Sequence, residues 1–182
     1  MTIYQDYTFQ KILTISQKQL QYLTEIKLKT LPKEWKLILM NDGSFTQNLN
    51  SLTGEHIKLK IHYKTSDILL NKKKLRIIWL EDNINNKLTF ARSLWPLHIN
   101  HYKYIELGND KPIGQSIIES KIDIYKDIYK LYYGYSKYLD KAFNSRGPIW
   151  GRKYKIYYHK KLFTIVEEFF SPHLIQYFHL KN

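Results

Sequence analysis

Cysteine is missing from all 182 residues of this chain, so disulfides, thiolate metal sites and cysteine nucleophiles are excluded. Glycine and proline are sparse, with 7 and 5 copies. They form no glycine-rich phosphate loop, no G-x-S-x-G elbow and no dinucleotide fingerprint. No apolar run approaches the ~20 residues that a helix needs to cross a bilayer. The opening MTIYQDYTFQ is neither a signal peptide nor an arginine- and serine-rich transit peptide, which points to work in the compartment where the protein is made. His56, His62, His98, His101, His159, His173 and His179 supply no metal-ligating pair on a helix face. His98 and His101 are three apart but follow Pro96, in an expected loop. No metal and no organic cofactor is expected.

Arginine is the other scarcity. Of 29 lysines and arginines only four are arginine: Arg76, Arg92, Arg146 and Arg152. The lysine excess travels with Ile, Asn and Tyr, whose codons are AT-rich, so the net charge of +13 reads as composition rather than as a nucleic-acid surface. The charge is also dispersed, with KKK at 72–74 the single tight run, and no nucleic-acid partner is expected. A basic surface still attracts small dianions. Where lysine is favoured, arginine persists mainly where a planar, two-pronged donor is required.

What is present reads as one α+β domain over 1–182, an antiparallel sheet with flanking helices. Residues 8–24 place Ile12, Ile15, Leu20 and Leu23 at helical spacing. TLPKEWKLILM reads as a second helix with Pro32 near its first turn, and Ser44 after NDG is a candidate cap or loop opener. IKLKIHYK (57–64), KLRIIWLE (74–81) and KLTFARSLWP (87–96) read as strands, the last two as a hairpin. GNDKPIG (108–114) reads as a turn. Residues 120–143 read as the clearest helix, capped by Ser120 with a core face of Ile124, Ile128, Leu131, Tyr135 and Leu139. KYKIYYHK and LFTIVEEFF then form a second hairpin through His159, Lys160 and Lys161.

Two features carry chemistry. Arg76 shares a strand face with Ile78 and Leu80, and a guanidinium buried there requires an anionic partner, be it ligand or structural carboxylate. Glu167 and Glu168 sit side by side in a bulky apolar run, where a carboxylate either exchanges protons or pairs internally with one of the arginines. Alternation alone does not choose between the two glutamates. A guanidinium and an unusual carboxylate in one cofactor-free pocket suit a small organic anion with a hydroxyl or ether elsewhere.

The stretch IWGRKYKIYYHKKLFTIVEEFFSP resembles the C-terminal segment of chorismate pyruvate-lyases, where a W-G-R-R turn enters one strand and a glutamate lies near the end of the next. LRIIWLEDNINNKLTFARSLWP is similar to the central hairpin of that family, and NDKPIG to its K-T-P-L-G turn. The three occur in the same order and span residues 40–172. The resemblance implies the antiparallel chorismate lyase fold and conversion of chorismate to 4-hydroxybenzoate and pyruvate. It implies that Arg76 holds the ring carboxylate and that Glu168, rather than Glu167, meets the para oxygen. Ile113 and Phe45 then supply backbone N–H contacts, and Arg92 and Arg152 join the substrate-binding set. Lys153 departs from the second arginine of W-G-R-R.

The lysine-rich character resembles the plastid-encoded branch of the family, which implies the plastid stroma, with a bacterial cytoplasm as the alternative. A monomer acting on a small molecule is expected, with a product suited to quinone head groups. The same fold serves as the ligand-binding domain of certain bacterial transcription regulators, so a non-enzymatic carboxylate sensor is the second reading. The residues ahead of position 57 show no basic recognition helix in its support.

Overall fold

The computed structural model describes residues 8–23, 31–64, 73–96, 112–121 and 123–179. Seven strands form one antiparallel sheet: β1 (Gln10–Ser16), β2 (Lys58–Lys64), β3 (Lys73–Glu81), β4 (Lys87–Pro96), β5 (Ile124–Tyr135), β6 (Ile149–Tyr158) and β7 (Lys161–Phe170). Their order across the sheet is β1-β5-β6-β7-β4-β3-β2. The helices are α1 (Gln17–Leu23), α2 (Lys33–Leu39), α3 (Phe45–Thr53), α4 (Ile113–Glu119) and α5 (Lys137–Phe143), and a 3-10 segment covers Pro172–Phe178. The fold is the expected α+β one.

Two of the expected helices are not formed as expected. Within 8–24, β1 occupies Gln10–Ser16 and only Gln17–Leu23 is helical. The expected helix over 120–143 divides into β5 and α5. Residues four apart share a face in a strand as well as in a helix, so Ile124 and Ile128 satisfy both periods. Tertiary pairing decides, because the Tyr- and Ile-rich segment suits a pleated surface and finds β1 on one side and β6 on the other. Ser120 closes α4 instead of capping a helix, and Ser136 caps α5 through a 3.5 Å bond from Leu139 N.

The other expectations follow the chain closely. Pro32 immediately precedes α2 and Ser44 immediately precedes α3. The β3–β4 hairpin pairs Arg76 with Ser93 and Ile78 with Ala91. In the β6–β7 hairpin only His159 and Lys160 form the turn, both with positive φ, at 47° and 62°, as a two-residue turn of the primed type demands. Lys161 already pairs with Tyr158 as the first residue of β7. Of the expected 108–114 turn, 108–111 lie outside the described residues, while Ile113 and Gly114 open α4.

Both faces of the sheet are covered. On one, Leu39 of α2 and Leu49 of α3 pack with Ile78, Leu80, Leu131 and Phe170. Farther along the same face, Ile117 of α4 packs with Tyr154, Ile156 and Val166. On the other, Leu139 and Phe143 of α5 meet Ile77, Trp79, Phe90 and Phe169. Each such fully buried side chain contributes roughly 1.5–3 kcal/mol of transfer free energy. The site lies between the α2–α3 and α4 packing regions.

Candidate functional site

Strand register builds the floor of the site. Arg76, Ser93, Val166 and Tyr154 are successive cross-strand partners on β3, β4, β7 and β6. One row along are Ile78, Ala91, Glu168 and Arg152. Because partners directly across an antiparallel sheet share a face, both rows point the same way. All of them but Arg152 floor a cavity of about 360 Å³, walled by residues 42–44, the first turn of α3 and the first turns of α4. That volume lies within the range of small-ligand sites.

The two helix starts meet tightly. A Cβ on Gly114 would lie 2.7 Å from Ser44 Oγ, so glycine lets α4 approach α3. The first N–H groups of a helix have no partner within it, and Phe45 and Ile113, the first residues of α3 and α4, both line the cavity. Ser44 Oγ is buried there with no hydrogen-bond partner among the described residues.

Glu168 is 6% exposed and is bonded twice. Arg152 Nε donates to its Oε2 at 2.7 Å and the Tyr154 hydroxyl donates to its Oε1 at 2.8 Å. Arg152, fully buried, also donates through Nη1 to the carbonyls of Ile38, Leu39 and Asn41 at 3.0, 3.3 and 2.9 Å. Its guanidinium stands 5.2 to 5.4 Å from the ring centres of Phe45, Tyr154 and Phe170. Burial, then the adjacent Glu168 carboxylate, push the Tyr154 phenol well above its ordinary pKa, so it stays a donor.

Lys126 completes the wall. Its Nζ donates to Asn41 O at 2.9 Å and to Gly43 O at 3.5 Å, and lies 4.4 Å from the centre of the Tyr154 ring. Burial and then the Arg152 charge push its pKa down to about 8.

Of the residues singled out in sequence, Arg76, Glu168, Phe45 and Ile113 line this cavity. Arg92 and Arg152 do not. Arg92 projects from the opposite face, where its Nε and Nη2 bond Glu167 directly across from it. Arg152 lies inside β6, not in a turn before it, and is covered by α2 and α3. It touches the cavity lining from behind, through its bond to Glu168 and its packing on Phe45 and Tyr154. Glu167 is buried at 6% exposure, so its role is this ion pair and not a surface one. Lys126, Tyr154 and Ser44 were not legible as site residues. Lys126 falls on the solvent side of a helix but on the cavity face of a strand, beside Ile124 and Ile128, and a period-2 count over 124–135 is the signal that finds it.

Among the described residues no group of three His, Asp or Glu side chains is arranged to hold a metal ion, and no helix is long and apolar enough to cross a membrane. A more open depression of about 990 Å³, beside Tyr125, Tyr157 and His159, brings no arginine and carboxylate together.

A sequence model of the family described as "Chorismate pyruvate-lyase Rv2949c-like" matches residues 39–178. The chain belongs to that family. Among its relatives, "Uncharacterized protein ycf21" of Antithamnion sp. is 43% identical over 159 residues, covering 85% of this chain and 87% of that one. The ycf21 protein of Cyanophora paradoxa is 34% identical, with 89% of each chain covered. These relatives are plastid-encoded proteins of algae. Among solved structures, the effector domain of PhnF from Mycobacterium smegmatis superposes with a TM-score of 0.51 at 10% identity, over 71% of this chain and 89% of that one. The Staphylococcus aureus gene product SA0254 does so with a TM-score of 0.52 at 11% identity, over 72% and 90%. Those two likenesses establish the shared fold.

Proposed function

We propose that this protein is a plastid chorismate lyase, which converts chorismate to 4-hydroxybenzoate and pyruvate without a cofactor. The observation that carries the reading is the presence of Arg76 and Glu168 on the floor of one 360 Å³ cavity. Family membership supports the reaction class. Arg76 clamps the ring carboxylate in a bidentate contact, and the backbone N–H groups of Phe45 and Ile113 complete its shell. Glu168, held by Arg152 and Tyr154, accepts the hydrogen bond of the hydroxyl para to that carboxylate. The bond between ring carbon and ether oxygen breaks, with its electron pair leaving on the enolpyruvyl oxygen. The neighbouring ring carbon gives up its hydrogen, and the enolpyruvyl methylene gains one to become the methyl group of pyruvate. The ring that remains is aromatic, so much of the driving force belongs to the substrate and the protein's task is to orient it. The product suits the aromatic head group of a plastoquinone-type quinone.

The test is to incubate purified protein with chorismate and follow 4-hydroxybenzoate and pyruvate. Equimolar formation of both is expected, with a loss of at least tenfold in kcat/KM in Arg76→Ala, as removal of a charged hydrogen bond predicts. No turnover by the wild type removes the enzymatic reading. Binding of 4-hydroxybenzoate without turnover would leave a carboxylate sensor.

A further inference from the structure

We propose that Lys126 forms a second anion subsite in this cavity, which receives the enolpyruvyl carboxylate of the substrate; the inference rests on the chorismate lyase reading above. Chorismate is a dianion, and the contacts assigned to Arg76, Phe45 and Ile113 serve only one of its carboxylates. A second buried charge needs its own counterion.

Lys126 is the cavity-lining cation suited to that task. The other lysine at the rim, Lys121, is exposed. Lys126 is half-buried and held by two backbone carbonyls, Asn41 O and Gly43 O. Those acceptors are neutral, and among the described residues no carboxylate lies within ion-pair distance of its Nζ. Glu168, the buried carboxylate of the cavity floor, is engaged by Arg152 and Tyr154. An ammonium fixed in this way has its position set before any ligand arrives, which lowers the ordering cost of binding.

Tyr154 links Glu168 and Lys126. Its hydroxyl meets Glu168 Oε1 at 2.8 Å, and its ring lies under Lys126 Nζ at 4.4 Å from the centroid. Glu168 and Lys126 therefore contact two parts of one residue, its hydroxyl and its ring face. A substrate with its para hydroxyl on Glu168 carries its ether on the adjacent ring carbon, and that substituent extends along Tyr154 toward Lys126. Arg76 approaches from the far side, on a strand four positions away from β5 in the sheet. Its charge and that of Lys126 thus address opposite ends of the ligand. The product 4-hydroxybenzoate, with one carboxylate, has nothing to offer Lys126.

That asymmetry supplies the test. Steady-state kinetics with chorismate and calorimetric binding of 4-hydroxybenzoate are measured for wild type, Lys126→Met and Lys126→Arg. Expected for Lys126→Met is a rise in KM for chorismate of roughly ten- to a hundredfold, the scale of one charged hydrogen bond, with 4-hydroxybenzoate affinity unchanged. Lys126→Arg restores most of the chorismate affinity. An equal loss of affinity for both ligands in Lys126→Met would mean that the lysine only fastens the Asn41–Gly43 loop, and would overturn the proposal. So would wild-type values for both ligands. A wild-type protein that neither turns over chorismate nor binds 4-hydroxybenzoate sinks the parent reading and this one together, whereas failure of the Lys126 arm alone leaves the parent reading standing.

Discussion

Lys126 Nζ and Arg152 Nη1 donate to the same acceptor, the carbonyl oxygen of Asn41, each at 2.9 Å. Two cations from neighbouring strands thus converge on one neutral oxygen in the loop after α2. Arg152 is offset by its bond to Glu168. For Lys126, burial first and then the charge of Arg152 push the pKa down to about 8.

Arg152 holds Glu168 in place, and its removal is expected to be severe. Arg152→Met leaves a buried carboxylate with only the Tyr154 hydroxyl and strips a donor from three carbonyls. Breaking a buried ion pair from one side costs about 3–5 kcal/mol. Urea denaturation should show that loss, and the double variant Arg152→Met with Glu168→Gln should regain part of it, because the orphaned charge is then gone. Wild-type stability in Arg152→Met would refute the pairing.

Gly151 is expected to tolerate no side chain. It pairs with Phe169 across β6 and β7, and an added Cβ would lie 2.6 Å from Phe169 Cδ1 and 2.8 Å from Glu168 O. Phe169 packs among buried rings on the α5 face, so it has little room to move. Gly151→Ala should destabilise the fold by about 1–3 kcal/mol, the usual cost of overpacking, seen as a lowered Tm in calorimetry.

The titration of Lys126 gives a pH dependence with a defined sign. The groups that face it are Arg152 and Tyr154 of β6, Glu168 of β7 and Asp42 of the loop after α2, with Lys121 and Asp123 at the cavity rim. As pH rises through about 8 the ammonium loses its proton, so KM for chorismate should climb above that pH. Lys126→Arg should hold its KM constant across the same range.

Stability moves the other way with pH. The unfolded chain keeps the Lys126 proton up to 10.5 and the folded one only to about 8. Between those values the unfolded state binds more protons, so this group's contribution to stability rises with pH; below about 8 the cost of burying the ammonium is felt in full. Chemical denaturation of wild type and Lys126→Met at pH 7 and pH 10 should show the difference between them shrink at the higher pH.

Residue order alone settled the β3–β4 and β6–β7 hairpins, since their apolar periods and turn residues act over a few positions. It also settled that Arg76 shares a face with Ile78 and Leu80, because strand alternation is a local rule. The choice of Glu168 over Glu167 came from motif resemblance, and the structure separates them physically: Glu168 faces the cavity with Arg152, and Glu167 the opposite side with Arg92. Only the tertiary structure decided the state of 120–143. Its four-residue spacings satisfy helix and strand alike, and the unpaired edges of β1 and β6 break the tie. That decision turned Lys126 from a solvated helix residue into a cavity wall. It is also why Arg152, 114 residues from the Ile38 carbonyl it caps, belongs behind the site and not in it: such contacts depend on how α2 docks on the sheet, which no local pattern encodes.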